Sequence, residues 1–260
     1  MPGNSFRAVS WNINRGCRFD EILEFLRSAD ADLILLQECD RNALRSGGRN
    51  VAREIAQNLR MNYVFGSEFL ELAQGNGNIA AHHGQATLCR LPISKPRILR
   101  FPHQSTFWKP RWFLPSLPRL QRRLGGRMVL VCKISINGAS LMTYNLHLES
   151  RNRNTLRLRQ LNEVLKDAQQ YGPDSPLLIA GDFNFDITQN GCSKAIQDAG
   201  FQNPFASKQV GNTIAKRSIG RPRAIDWILL RGPLISTNPR VHVSVPGSDH
   251  YPLSLEFAVC

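Results

Sequence analysis

The stretch Leu177-Leu178-Ile179-Ala180-Gly181-Asp182-Phe183-Asn184-Phe185-Asp186 runs four apolar residues into a glycine, then spaces a carboxylate and a carboxamide two positions apart. Residues i and i+2 of an extended chain project to the same side, so Asp182 and Asn184 can face one site at a strand's C-terminal end. An acid beside a neutral amide suits holding a water or a metal ion next to an anionic, phosphate-like group. The same residues also read as an Asp/Asn turn after a buried strand. The choice rests on the rest of the chain.

Outward from this stretch, apolar periodicity marks the neighbouring elements. Arg7–Asn14 alternates as a strand. Asp20 is the expected N-cap of a helix whose apolar face is Ile22, Phe25, Leu26 and Ala29. Leu33–Leu36 is a continuous apolar strand ending at Gln37-Glu38, and Ala52, Ile55, Ala56 and Leu59 line a second helix. Strands are expected at Tyr63–Gly66, Ala86–Leu91 and Met128–Ile136, with an Asn137-Gly138 hairpin turn leading into Ser140–Leu148. A helix carrying Leu158, Leu161, Leu165 and Ala168 stops near Tyr171-Gly172-Pro173. After the opening stretch come a short helix around Ser193–Ala199 and strands near Ala224–Leu230, Val241–Val245 and Leu253–Val259. Early alternation of strand and helix, with hairpin-like pairs in the middle and at the end, indicates a mixed α/β (α+β) architecture. No linker divides the 260 residues, so the expectation is one domain over 1–260.

The chain is 42% hydrophobic and carries a net charge of +13. That balance favours a polyanionic partner, either nucleic acid or an anionic membrane surface. Six scattered cysteines without a Cys-x-x-Cys pair argue against a zinc knot or a disulfide framework and fit a reducing, cytoplasmic setting. No apolar run reaches the roughly 20 residues of a membrane span. Between Glu71 and Glu149 there is no acid at all, while eleven Lys/Arg occur, so this segment accounts for eleven of the thirteen net charges. Its middle is rich in Pro, Trp, Phe and Arg without clean periodicity, and a basic aromatic loop or lid is expected at about 95–127.

Strand-like segments repeatedly end in short polar clusters: Ser10-Trp11-Asn12, Gln37-Glu38, Asn145-Leu146-His147-Leu148-Glu149-Ser150, Gly181-Asp182-Phe183-Asn184, Ile225-Asp226 and Ser248-Asp249-His250. Singly each has a structural explanation. Six together fit a sheet edge that gathers them into one crevice. In this order the set resembles the endonuclease/exonuclease/phosphatase (DNase I-like) superfamily, from one end of the chain to the other. The resemblance implies a four-layer α/β/β/α sandwich of two mixed sheets flanked by helices, and Mg²⁺- or Mn²⁺-dependent hydrolysis of a phosphoester.

It also implies roles. Glu38 is the expected first metal ligand, helped by Asn12 and Asp249. Asp182 would orient or deprotonate the attacking water, and Asn184 would hold that water or a phosphoryl oxygen. His250 would meet the phosphate as imidazolium with Asp226 on its other nitrogen, and His147 would be a second donor whose ring partner is not obvious, Gln85 being a weak candidate. Ser150 and Asn145 are expected at the substrate phosphate. His147 stands where AP endonucleases of the family usually carry Tyr, and Cys39-Asp40 follows Glu38 in place of their Thr-Lys. The sequence His-Leu-Glu-Ser with Arg157 and Gln160-Leu161 is closer to the tyrosyl-DNA phosphodiesterase 2-like and general nuclease branches. A nucleic-acid substrate, DNA more than RNA, is therefore expected, with Arg111, Trp108, Trp112, Arg122 and Arg123 as contacts. The alternative is a sphingomyelinase-like lipid or small-molecule phosphodiesterase using the same segment at an anionic bilayer. A monomer is expected.

Overall fold

A computed structural model describes residues 5–108, 113, 115–151, 154–189, 191–206, 211–214 and 224–260. The chain opens with β1 (Phe6–Arg15), α1 (Phe19–Ala29), β2 (Leu33–Arg41) and α2 (Val51–Leu59). It continues through β3 (Asn62–Asn76), β4 (Ile79–Cys89), β5 (Ile93–Arg100), β6 (Arg123–Gly125), β7 (Met128–Ile136) and β8 (Ala139–His147). Then follow α3 (Asn154–Ala168), β9 (Leu177–Asp182), α4 (Cys192–Asp198), β10 (Asp226–Arg231), β11 (Leu234–Val241) and β12 (Leu253–Val259). The strands form a seven-stranded sheet in the order β11-β12-β1-β2-β4-β3-β6 and a five-stranded sheet in the order β10-β9-β8-β7-β5. Each sheet is mixed: β1 runs parallel to β2, and β8 to β9, while their other neighbours are antiparallel.

Side-chain alternation assigns the layers. Ala8 of β1, with Leu33 and Leu35 of β2, packs between the sheets with Leu178 and Ala180 of β9, whereas Val129 and Val131 of β7 and Tyr144 and Leu146 of β8 share the opposite face, where Tyr144 Oη donates to Asp167 of α3 (2.7 Å). The alternate residues Val9, Trp11, Ile13, Ile34 and Leu36 form a second core with Ile22, Leu23 and Leu26 of α1 and Val51, Ala52 and Ile55 of α2. On the far side of the five-stranded sheet lie Leu161, Val164 and Leu165 of α3 and Ile196 of α4. The result is the expected four-layer sandwich. One polar seam crosses between the sheets: Asn145 Nδ2 donates to Leu36 O (3.0 Å) and Ala86 O (2.9 Å), and Gln37 Nε2 donates to Asn145 Oδ1 (2.8 Å).

The differences from expectation concentrate at edges. Asp20 lies inside the first turn of α1, where its charge favours the helix N-terminus, and Arg18 holds the cap position with no side-chain capping bond, its guanidinium being paired with Glu21. β3 is far longer than Tyr63–Gly66. β5 occupies the start of the expected 95–127 loop, and β6 its end. β11 precedes the expected Val241–Val245 strand. β5 and β11 are edge strands with Pro96 and Pro239 inside them and mostly polar outward residues. Edges tolerate proline and exposure, so their sequences lack the buried alternation that betrays a strand. The segment between β5 and β6 runs from the edge of one sheet to the edge of the other. Among the described residues no helix is long and apolar enough to cross a membrane.

Candidate active site

Three adjacent strands of the smaller sheet place His147, Asp182 and Asp226 in one row: His147 pairs with Asp182 across β8 and β9, and Asp226 with Asp182 across β9 and β10. The close approach depends on Gly181, where a Cβ would fall 1.9 Å from Leu146 O. Across the gap, Asn12 at the end of β1 pairs with Gln37 of β2, beside Glu38. Glu38 sits at a β-bulge with φ of 55°, a kink that re-aims its side chain relative to the strand.

Asp182 is the hub and is buried. Its Oδ2 accepts from Asn12 Nδ2 (3.1 Å) and lies 3.5 Å from His147 Nε2 and 3.8 Å from His250 Nε2. Its Oδ1 accepts from the backbone N–H of Asn184 (2.8 Å), a residue in the left-handed region at φ 58°, so the Asp/Asn turn is present as well as the site. Asn184 Nδ2 donates to Leu148 O (3.0 Å). Burial first, and the neighbouring Asp226 charge next, raise the Asp182 carboxyl to about 7 against the opposing pull of His250.

The two histidines are set in opposite states. His250 Nδ1 faces both Asp226 oxygens, at 2.9 and 3.1 Å, and Asp226 Oδ2 also accepts from Thr213 Oγ1 (2.7 Å). Burial alone would pull the imidazole down, but the charges of Asp226, Asp182 and then Asp249 outweigh it and raise it to about 10. Asp249 itself is half-buried next to His250, in a loop fastened by Ser248 Oγ donating to Asn12 O (2.6 Å). His147 is different: burial, then the Arg127 guanidinium, push it well below the usual imidazole value. Arg127 can only donate, so its Nη1 contact to Nδ1 (2.8 Å) makes that nitrogen the acceptor and puts the ring proton on Nε2, toward Asp182 and Glu38.

Arg127 is thus the ring partner of His147, and the Gln85 alternative is corrected. Gln85 Nε2 donates instead to Glu68 Oε1 (2.8 Å) and Met128 O (3.0 Å), and Glu68 Oε2 accepts from Arg127 (2.8 Å). Sequence reasoning counted Arg127 as one of eleven surface charges and passed over Glu68, Thr213, His83 and Asp40. The available signal was position: Arg127 immediately precedes the fully buried start of β7. Four members of the basic segment are in fact bound to acids elsewhere: Arg90 to Asp30 and Asp32, Arg97 to Asp167, Arg123 to Glu71 and Arg127 to Glu68.

Three more expectations change. Asn145 is fully buried in the seam between the sheets, its amide spent on Leu36, Ala86 and Gln37, so it cannot meet a substrate phosphate. Trp108 is buried against Phe69, with Nε1 donating to Glu149 Oε2 (2.7 Å), so its ring is wall rather than surface. Arg123 is held by Glu71 at 2.8 Å, whereas Arg122 is exposed. Ser150 is exposed, and its Oγ accepts from Arg127 Nη2 (3.3 Å). Arg111 and Trp112 lie outside the described residues.

The donor set suits a hard cation. Half-buried Glu38 would be raised by its desolvation, but His83, Arg127, His250 and Arg15 together hold it below the usual carboxylate range. It accepts no hydrogen bond among the described residues, and the neutral His147 ring has its Nε2 3.9 Å away. An ionised carboxylate that accepts no hydrogen bond among the described residues, facing the same His147 Nε2 as Asp182, is an oxygen donor of the kind that Mg²⁺ or Mn²⁺ takes. Asp182, Asp226 and His250 also bring ligand atoms within 4.8 Å of one another, but Asp226 is already occupied by His250 and Thr213.

Similar structures share this architecture. The endonuclease/exonuclease/phosphatase from Beutenbergia cavernae DSM 12333 is 17% identical with a TM-score of 0.72, over 98% of this chain and 72% of that one. A humanized D. rerio TDP2 carrying 14 mutations is 17% identical with a TM-score of 0.68, over 98% and 99%. The Bacteroides vulgatus endonuclease/exonuclease/phosphatase is 14% identical with a TM-score of 0.72, over 99% and 100%. No curated protein matches. The sequence model of the Endonuclease/Exonuclease/phosphatase family matches residues 9–250, a span that holds every strand-end cluster of the site. The chain belongs to this family of hydrolytic phosphoesterases.

Proposed function

We propose that this protein is a Mg²⁺- or Mn²⁺-dependent phosphodiesterase acting on nucleic acid as one 260-residue domain in a reducing compartment. The observation that carries the reading is Asp182, a buried carboxyl raised to about 7 between a histidine held as a cation and a histidine held neutral. A carboxylate with a value near neutrality both accepts a proton readily and exists ionised in part, which suits a general base. In-line attack would proceed as Asp182 takes the proton of a water while the water oxygen bonds to phosphorus and the ester oxygen leaves. His250 imidazolium would offset charge on the phosphoryl oxygens, with Asp226 fixing its ring. Neutral His147 would donate an Nε2–H hydrogen bond to a phosphoryl or leaving oxygen. Glu38, with Asn12 and Asp249, would hold the cation, whose chemistry is to neutralise charge building on the phosphate. Six free cysteines, four of them buried, support the reducing setting.

The basic segment and the likeness to TDP2 favour nucleic acid, DNA before RNA. A second reading, phosphodiester hydrolysis at an anionic lipid surface, is favoured by one observation: Phe107, Phe113, Leu117 and Leu120 are all exposed in the segment between β5 and β6. The deciding experiment is turnover on plasmid, single-stranded oligonucleotides, 5′-tyrosyl DNA, sphingomyelin and inositol phosphates. Cleavage of nucleic acid that EDTA abolishes and Mg²⁺ or Mn²⁺ restores is the expected result. Turnover of sphingomyelin alone would replace it with the second reading, and metal-independent turnover would remove the cation.

A further inference from the structure

Beside Glu38 the site opens into a cavity of about 760 Å³, a size that suits a small ligand or one unit of a polymer. Six guanidiniums line it, and they divide into two groups. Arg45, Arg123 and Arg127 are committed to Asp40, Glu71 and Glu68. Arg15, Arg122 and Arg151 are exposed and form no ion pair among the described residues. These three come from separate places: the end of β1, the residue before β6 and the segment after β8. Their convergence on one concavity is a product of the fold.

Two further features mark the cavity as built for a ligand. Arg15 sits at φ 71°, between Asn14 at φ 43° and Gly16 at φ 72°, a left-handed run in which two of the three residues carry side chains. That conformation is unfavourable for L-residues and persists only where the surroundings enforce it. In the wall, His83 is buried with Nδ1 fixed on Asp40 Oδ1 at 2.8 Å, while its Nε2 has no hydrogen-bond partner among the described residues. At the rim, the Arg151 guanidinium lies over the ring of Phe107 at 4.8 Å, and that ring is 62% exposed.

We propose that this cavity is the subsite for the nucleotide next to the cleaved bond, and that it selects single-stranded nucleic acid. Unpaired guanidiniums meet phosphate oxygens in two parallel charge-assisted hydrogen bonds, so Arg15 and Arg122 take the neighbouring phosphate. The Phe107–Arg151 platform takes the face of a base, and His83 Nε2 a polar atom of the same nucleotide. A base stacked in a concavity must leave its partner strand, so a continuous duplex does not enter. A lone lipid phosphate would leave these groups unused, and acyl chains would meet guanidiniums. This assignment rests on the phosphodiesterase reading for its placement next to the reaction centre, but strand binding can be measured apart from turnover.

The test is fluorescence anisotropy of a labelled 12-nucleotide single strand, its duplex and phosphatidylserine vesicles, with the full chain in EDTA to prevent cleavage. The wild type should bind the single strand at least tenfold more tightly than the duplex, with affinity falling steeply as salt rises. Arg15→Ala/Arg122→Ala/Arg151→Ala, checked for an unchanged circular dichroism spectrum and Tm, should weaken single-strand binding by more than about thirtyfold. Its log–log salt slope should be shallower by about 1.4, since Arg15 and Arg122 meet phosphate and each phosphate contact contributes about 0.7 on single strands. Phe107→Ala, which removes a ring and no charge, should weaken single-strand binding about tenfold without changing the slope. Equal affinity for duplex, an unchanged Kd in either variant, or binding to vesicles but not to the strand would each overturn the assignment. If the strand binds as stated but no phosphodiester is hydrolysed with Mg²⁺ or Mn²⁺, the subsite stands and the hydrolase reading falls. If hydrolysis proceeds and the variants bind like wild type, the subsite alone falls.

Discussion

At the scale of the residue, function here is a matter of setting protonation states within a few ångströms. Asp182 touches Asn12 and lies within 3.8 Å of both histidines, which differ because their second nitrogens face opposite charges, Asp226 in one case and Arg127 in the other. Replacing Asp182 by Asn, His250 by Ala or Glu38 by Ala is each expected to lower turnover by more than about a hundredfold with folding retained, read as kcat beside the Tm. A folded Asp182→Asn protein with near wild-type kcat would remove Asp182 as the base. The raised His250 also links stability to pH. Its folded-state value of about 10 exceeds the ordinary 6.5, so its contribution is whole below about pH 6.5 and is lost as pH rises through about 10. Asp182, raised to about 7, is already ionised above pH 8. Unfolding free energy in EDTA should therefore fall between pH 8 and 10 in the wild type and fall less in His250→Asn. Parallel curves for the two proteins would contradict this.

At the scale of the element, strand ends do the placing and the seam between the sheets holds them in register. β8, β9 and β10 deliver three site residues in one row, and β1 and β2 deliver Asn12 and Glu38 opposite. Asn145 belongs to this scale, because its amide joins Leu36 and Ala86 of the larger sheet to a strand of the smaller one. Asn145→Ala takes the side-chain donor away from two buried carbonyls and one acceptor from the Gln37 amide, which keeps Leu35 O (3.1 Å), at a cost of about 1–3 kcal/mol for each group left unsatisfied. The expected outcome is a clear drop in urea midpoint with kcat of the remaining folded protein retained. Loss of kcat at unchanged stability would return Asn145 to the phosphate.

At the scale of the whole molecule, the +13 charge is unevenly spent. Part of it is internal, as Arg127 and Arg123 show, and part is directed at the cavity beside Glu38. Glu38 is held below the usual carboxylate range by the positive groups around it and accepts no hydrogen bond among the described residues. A cation that binds only the folded state stabilises it by mass action, about 2.7 kcal/mol at a hundredfold excess over Kd. For a chain of this size that is a rise in Tm of about 5–10 °C on adding Mg²⁺ or Mn²⁺. The rise should be absent in Glu38→Ala, and a rise of equal size there would place the cation elsewhere.

Local pattern carried most of the architecture, because apolar periodicity and turn chemistry are written in neighbouring residues. α1, α2, the Asn137-Gly138 hairpin, the buried strand before Asp182 and the order of the six polar strand ends were all legible in the chain itself. Edge strands β5 and β11 were not, since an edge buries too little to impose alternation. Nor could the sequence say which polar residue meets which. Arg127 and His147 are 20 residues apart and Asn145 and Leu36 are 109 apart, so only packing decides that the arginine turns inward and that the asparagine joins two sheets. The types of residue in Gly-Asp-Phe-Asn follow from the chain. That Asp182 stands between a charged and a neutral histidine follows only from the burial and the charges that the tertiary structure brings around it.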